Sequence, residues 1–189
     1  GVGTGSDLSF VNILVMKDSF DVALEMVSDV ARNPAYAPAE IDRQRQQLLS
    51  GMQISYDDPA YIAGIVFGQL VYGLHPYGAP SNGTPESIRQ ITRDDLMAFH
   101  RAHFMPNNAI LAIVGDVTPE EAFDGAERVL GDWTRGDLPT PTLAELPAPT
   151  RRLVVVDKPG AVQTVVRVGH LTVPRAHPDY LAFDVTIKI

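Results

Sequence analysis

The stretch Ala109-Ile110-Leu111-Ala112-Ile113-Val114-Gly115-Asp116-Val117-Thr118-Pro119-Glu120-Glu121 sets two structural signals side by side. Ala109 to Val114 is a continuous apolar run closed by Gly115-Asp116, and a run of that length predicts a β-strand buried on both faces. Thr118-Pro119-Glu120-Glu121 predicts a helix start. It has a Thr cap, a Pro at the first helical position where a missing N–H costs nothing, and an acid that returns a bond to the cap. Strand and helix in succession place the chain in the α+β class. The helix packs through Ala122, Ala126, Val129 and Leu130 and closes on Trp133.

Working upstream, Pro106-Asn107-Asn108 breaks a helix that begins at Thr92-x-x-Asp95 and runs to about Phe104, and Thr84-Pro85-Glu86 starts a shorter helical turn. Leu74 to Gly83, with Gly and Pro around His75, reads as a loop. A helix after Asp58-Pro59 follows from Ile62, Ile65, Val66 and Leu70. Gly64 and Gly68 weaken it and admit the close approach of another backbone. Ile41, Leu48, Leu49 and Met52 define a further helical face, with Pro38 in its first turn and Asp42 to Gln47 on its polar side. Before it, Asp18 and Asp21 form a cap-like start. Phe20, Ala23, Leu24, Val27, Val30 and Ala31 recur at helical spacing until Asn33-Pro34. Gly1 to Asp7 reads as flexible punctuation and Leu8 to Met16 as a strand.

Working downstream, Thr134 to Thr150 carries prolines at 139, 141, 147 and 149 and reads as an extended linker. Arg151 to Val156 and Val162 to Val168 predict two strands joined through Pro159-Gly160, and Tyr180 to Ile189 begins an apolar helix. The ends read as those of a fragment, with neighbours expected on both sides.

The 189 residues carry 15 Lys or Arg against 23 Asp or Glu, a net charge of -8, and no window gathers basic residues into a stripe that can neutralise phosphates. Nucleic acid is therefore excluded as an expected partner. There is no cysteine, so a metal would need His, Asp or Glu. No run of apolar residues reaches membrane-spanning length. The Gly-rich opening precedes a strand and has no Lys-Ser or Lys-Thr after it, which argues against a phosphate loop.

His100 and His103 stand on roughly one helical face, but a pair without a third ligand is no metal site, and Phe99 and Phe104 beside them favour packing. His75, His170 and His177 lack partners in sequence and read as loop structure. No Gly-x-Ser-x-Gly elbow is present. Asp57-Asp58, Asp94-Asp95 and Glu120-Glu121 are adjacent pairs whose side chains diverge; caps and solvated faces explain them.

The order of segments says more than any one of them. Asp21-Val22-Ala23-Leu24-Glu25, Asn33-Pro34-Ala35-Tyr36 and Ile41-Asp42-Arg43-Gln44-Arg45 are followed by His75-Pro76-Tyr77-Gly78 and Gly83-Thr84. Asp95-Leu96 with Phe99, Phe104-x-Pro106-Asn107-Asn108 and Val114-Gly115-Asp116-Val117 come next. In this order they resemble the downstream half of the catalytic-type domain of zinc metallopeptidases of the pitrilysin, insulinase and mitochondrial processing peptidase family. Leu153 to Gly169 with His177-Pro178-Asp179-Tyr180 is similar to the start of the family's second, related domain.

The resemblance implies a processing-peptidase-like α+β fold, with helices packed on a mixed, mainly antiparallel sheet. It divides the chain into residues 1–133, the downstream half of an N-terminal peptidase-like domain; 134–150, a linker; and 151–189, the beginning of the second domain. It also implies a bacterial-type member, with the compartment, periplasm or cytoplasm, left open by a cysteine-free chain. In active members an inverted His-x-x-Glu-His motif gives two zinc ligands and the general base, and a distant Glu gives the third ligand. This chain has no such motif. Aligning Arg43-Gln44-Arg45 with the family pattern places Gly51 at the third-ligand position and Gln44 at the supporting acidic position.

Neither residue can act as a carboxylate does. The resemblance therefore implies no catalytic and no metal-binding residue here, no cofactor held by this piece, and zinc in an active homologous subunit. The leading expectation is a non-catalytic subunit that completes a chamber and binds a peptide substrate, with the zinc-bearing homologue as partner. Two alternatives stand beside it: a piece of an active zinc endopeptidase whose motif lies upstream of residue 1, and a non-enzymatic assembly or binding module. Peptide contact is expected at the strand from Leu8, through Leu8, Phe10 and Asn12, by strand addition.

Overall fold

The computed structural model describes residues 1–187. It is an α+β fold of helices with an antiparallel sheet of two strands, β1 (Val2–Thr4) and β2 (Ser9–Val11). Seven α-helices are present among the described residues: α1 (Phe20–Arg32), α2 (Pro38–Ser55), α3 (Pro59–Tyr72), α4 (Pro85–Gln90), α5 (Arg93–His103), α6 (Pro119–Leu130) and α7 (Tyr180–Thr186). The chain divides into two compact units. One holds Gly1–Met52 with Ser81–Thr142; the other holds Gln53–Pro80 with the chain from Leu143 onward.

In the first unit, β1 and β2 form a hairpin pairing Val2 with Val11, Gly3 with Phe10 and Thr4 with Ser9. A side chain at Gly3 would lie 2.6 Å from the Phe10 ring, so glycine is what lets that ring cross β1. α1 and α6 pack through a small-residue contact. Ala23 and Leu24 are buried on α1, and Gly125 on α6 sits where a Cβ would come within 2.7 Å of Leu24. Ser28 is buried on the same face and donates to the Val129 carbonyl at 2.8 Å, while Val30 points outward.

The other helices of this unit are seated by caps and by arginines that reach main-chain carbonyls. Thr84, Thr92 and Thr118 each form a complete capping box, with Ser87, Asp95 and Glu121 respectively. Arg32 donates to Val129 O at 2.9 Å and pairs with Asp132 at 2.8 Å. Arg45 donates to Ile88 O at 3.3 Å and Ile91 O at 2.8 Å, covering carbonyls at the end of α4. Arg93 donates to Tyr36 O at 3.0 Å. Carbonyls at the end of a helix have no intrahelical donor, so Arg32 and Arg45 satisfy groups that would otherwise need water, while Arg93 ties α5 to the loop after α1.

In the second unit, Asp58 caps α3 by accepting from Ala60 N at 2.8 Å, with Pro59 at the first helical position. Gly68 faces the Tyr77 carbonyl and Gly64 faces the Arg167 side chain, each at 3.9 Å from a built Cβ, an ordinary contact distance at which alanine would also fit, so the close backbone approach expected of these glycines is not required here. Arg167 reaches Ala60 O at 3.5 Å. Tyr72, His75 and Tyr77 pack ring against ring at 5.0 to 6.1 Å. Gly73 ends α3 at φ 59, a left-handed value that an L side chain rarely adopts.

Several sequence expectations are corrected. The strand expected from Leu8 to Met16 spans Ser9–Val11 only, and the opening glycines are not idle, since β1 lies within them. The run Ala109 to Val114 forms no strand and is not buried; Ile110 is 98% and Val114 97% exposed. Arg151 to Val156 and Val162 to Val168 form no strands either, with Leu153 at 91% and Val162 at 98%. The reason is common to all three: a strand needs another strand to take its N–H and C=O groups, and none lies beside these runs among the described residues. At the start of α1, Asp18 lies in a 3-10 turn, Lys17–Ser19, and Ser19 is the cap residue without a side-chain bond. The apolar helix expected at the end is α7, and Lys188 and Ile189 lie outside the described residues.

Candidate functional site

Two places carry the sequence-derived site residues: the exposed face of α2 and the hairpin. Gln44 and Gly51 are seven residues apart, two helical turns, and so lie on one side of α2; both are exposed. Around Gly51 a built Cβ meets no heavy atom within 4 Å. The space is open, and a longer side chain would fit there without a clash. Gln47 lies on the same side, and the carboxylates of that helix, Glu40 and Asp42, are engaged by its own Arg43 and Arg45.

Zinc is the metal that the resemblance brings into question, and the donor set does not fit it. Zinc sites draw on four His, Cys, Asp or Glu donors, or three with a water. No group of three such residues that can hold a metal ion exists among the described residues. The histidine pair is occupied otherwise. His100 Nε2 lies 2.8 Å from the Ala31 carbonyl, its ring stacks on Phe104 at 4.6 Å, and Tyr36 meets it edge-on. His103 lies against Phe99 at 4.5 Å. The His100 ring packs α5 against its surroundings, and the His103 ring packs along α5 itself, against Phe99.

The shifted titrations belong to structure as well. Asp95 is held below the usual carboxylate range by hydrogen bonds from the Thr92 side chain and backbone, and Asp132 by the Arg32 hydrogen bond and charge. The carboxyl of Glu86 is lowered by its own backbone N–H and by Thr84. Burial raises the Tyr36 hydroxyl. These acids sit at helix caps or against an arginine, not in a cleft with a shared target.

On the hairpin, Leu8, Phe10 and Asn12 alternate onto one face, and all three are exposed, Phe10 at 52%. Asn12 and Gly1 exchange both main-chain bonds, at 2.6 and 2.8 Å. By the alternation of an antiparallel ladder, Phe10 then faces Gly3 with its N–H and C=O, and the groups turned to the free edge are those of Ser9 and Val11. Side-chain alternation alone does not reveal this; the pairing register set by the Ser6-Asp7 turn does. Nor does the sequence single out Arg45 and Arg93, whose carbonyl partners are more than forty residues away.

In the second unit, a shallow pocket of about 500 Å³ lies between Asp57, Asp58 and the turn at Lys158-Pro159-Gly160. Asp57 and Lys158 pair across it at 3.7 Å, and the Asp58 carboxylate accepts from Ala60 N at the start of α3.

Comparison with known proteins gives a consistent result. A family model described as the peptidase M16 inactive domain matches residues 90–189. An uncharacterized zinc protease of Rickettsia bellii is 29% identical over 134 residues, covering 71% of this chain and 32% of its own length. The zinc protease PqqE of Helicobacter pylori is 25% identical over 190 residues, 98% of this chain and 43% of that protein. The chain thus spans well under half the length of these curated relatives. Among solved structures, a peptidase M16 inactive domain from Pseudomonas fluorescens superposes with a TM-score of 0.60 at 29% identity over 71% of this chain and 32% of that one. A Helicobacter pylori protease structure gives 0.64 at 24% identity over 70% of this chain and 33% of its own, which speaks for the fold.

Proposed function

The chain belongs to the peptidase M16 family, a zinc-protease-like family of proteolysis, and from that premise we propose that it is part of a metal-free subunit that helps enclose and bind a peptide. One observation carries the reading. The side of α2 that bears Gln44 and Gly51 offers an amide and a bare backbone, and no carboxylate, at the positions where the family resemblance places the acids of a zinc site. A neutral amide is a poor zinc ligand, and glycine has no side chain to offer. The family description of residues 90–189 as an inactive domain supports the same reading.

In this reading residues 1–133 are the downstream half of one peptidase-like domain, 134–150 a linker, and 151–189 the opening of a second such domain. The partner is a homologous subunit that holds zinc. Peptide binds by strand addition at β2, with Leu8, Phe10 and Asn12 presenting side chains and the free edge at Ser9 and Val11 supplying main-chain bonds. The names of the curated relatives, which are much longer zinc proteases, favour a second reading: a piece of an active endopeptidase whose His-x-x-Glu-His lies elsewhere in the full protein.

A cleavage assay separates the two. The full-length protein is purified alone and together with a zinc-bearing homologue, and a quenched fluorescent peptide is followed with and without chelator. Cleavage only in the mixture, abolished by chelation, is the outcome for a metal-free subunit. Chelator-sensitive cleavage by the protein alone would assign it to the second reading.

A further inference from the structure

We propose that Asn82 is a site of spontaneous covalent modification, deamidating through a cyclic imide to leave aspartate and isoaspartate at this position. The sequence contains five asparagines, at 12, 33, 82, 107 and 108, and only Asn82 is followed by glycine. The reaction requires the main-chain nitrogen of the next residue to reach the asparagine side-chain carbonyl carbon. A side chain on that next residue obstructs the approach, and proline in its place removes the nucleophile altogether.

The surroundings sort the five in the same way. Asn33 precedes Pro34 and gives its amide to Asp29 at 3.1 Å. Asn107 pairs through both amide atoms with the Gly136 backbone, at 3.0 and 3.2 Å, and Asn108 donates to His103 O at 2.9 Å. Asn12 precedes the β-branched Ile13. Asn82 is exposed, its side chain has no hydrogen bond among the described residues, and it sits in the turn between residue 80 and α4. Gly83 follows it at φ 73. Asn-Gly in an exposed turn combines a free amide with a backbone nitrogen whose own residue has no side chain to obstruct the approach.

The chemistry balances with water as the only co-reactant. The Gly83 nitrogen attacks Cγ of Asn82, ammonia leaves with the side-chain nitrogen, and a five-membered succinimide forms. Water then opens the ring. Attack at the side-chain carbonyl leaves an ordinary aspartate in place of Asn82. Attack at the main-chain carbonyl leaves isoaspartate, in which the chain runs through the former side chain and gains one methylene. Either product adds one negative charge. The isoaspartate also displaces Gly83, which seats against Ser87 Oγ, the partner of Thr84 in the capping box of α4.

The test is peptide mapping of the full chain aged in mildly alkaline buffer. Tryptic cleavage places Asn82 as the sole asparagine of peptide 46–89, while the other four fall in peptides 1–17, 33–43 and 102–128. The expected result is a one-dalton gain in 46–89, localised to residue 82 by fragmentation and appearing before any gain at the other asparagines. The aspartyl and isoaspartyl forms should separate chromatographically, and Asn82→Gln should abolish the gain. An unchanged 46–89 while other asparagine peptides deamidate, or a gain that persists in Asn82→Gln, would overturn the proposal.

Discussion

Residues 84–103 and residues 151–173 both have few buried side chains, one in the first stretch and none in the second, yet only the first forms regular structure. The difference is where the backbone finds its partners. In 84–103 the helical bonds are local, Thr84 and Thr92 close both helix starts within four residues, and Arg45 covers the carbonyls at the end of α4. In 151–173 the apolar, β-branched composition calls for strands, and strand bonds must come from elsewhere in the chain or from another chain. Nothing among the described residues supplies them, so Leu153 and Val162 stand exposed.

The sharpest way to break this comparison is to truncate one apolar residue in each kind of region. Leu24→Ala, which empties the contact with Gly125, should cost about 2–5 kcal/mol in denaturant-melting experiments. Val162→Ala should change stability by no more than about 0.5 kcal/mol. Equal losses would mean that the Val162 run is packed after all.

A second substitution tests whether arginine clasps stand in for core. Arg45→Ala leaves Ile88 O and Ile91 O without their donor and should cost about 1–3 kcal/mol, since hydrogen bonds from charged groups are among the stronger ones. Arg45→Lys offers a single ammonium in place of a fork and should recover only part of the loss. Full recovery by lysine would make charge, not the two-carbonyl geometry, the source of the effect.

A smaller effect belongs to the caps. Thr92→Ala should cost about 1 kcal/mol, and Thr92→Ser should retain most of the stability. The pH dependence follows from the same bonds. Asp95 and Asp132 have carboxyls lowered in the folded chain, so their contribution is complete above the ordinary carboxylate range and is lost as pH falls through the lowered folded values. Acid titration of helix content should show a loss at low pH that Thr92→Ala diminishes.

The helices are legible in the sequence because their signals are short-range. Thr118-Pro119-Glu120-Glu121 and Thr92-x-x-Asp95 name their own partners three residues away, and the structure makes those bonds. The strands expected at 109–114, 151–156 and 162–168 are absent because an apolar run shows that a segment suits a sheet without showing that a neighbour is present. The arginine clasps and the Asn107 pairing with Gly136 are hidden for a related reason, since a donor gives no sign in sequence of which distant carbonyl it will meet. The candidate site is legible at Gln44 and Gly51 through resemblance, and the structure adds that both are exposed on one side of α2 with open space at Gly51.

Metal analysis of the full-length protein, purified without chelator and then re-equilibrated with zinc, is the most direct test of the central claim. The expected result is no stoichiometric zinc retained after buffer exchange. One tightly held zinc per chain, removed by chelator together with peptide cleavage, would contradict it and return the protein to the active members of its family.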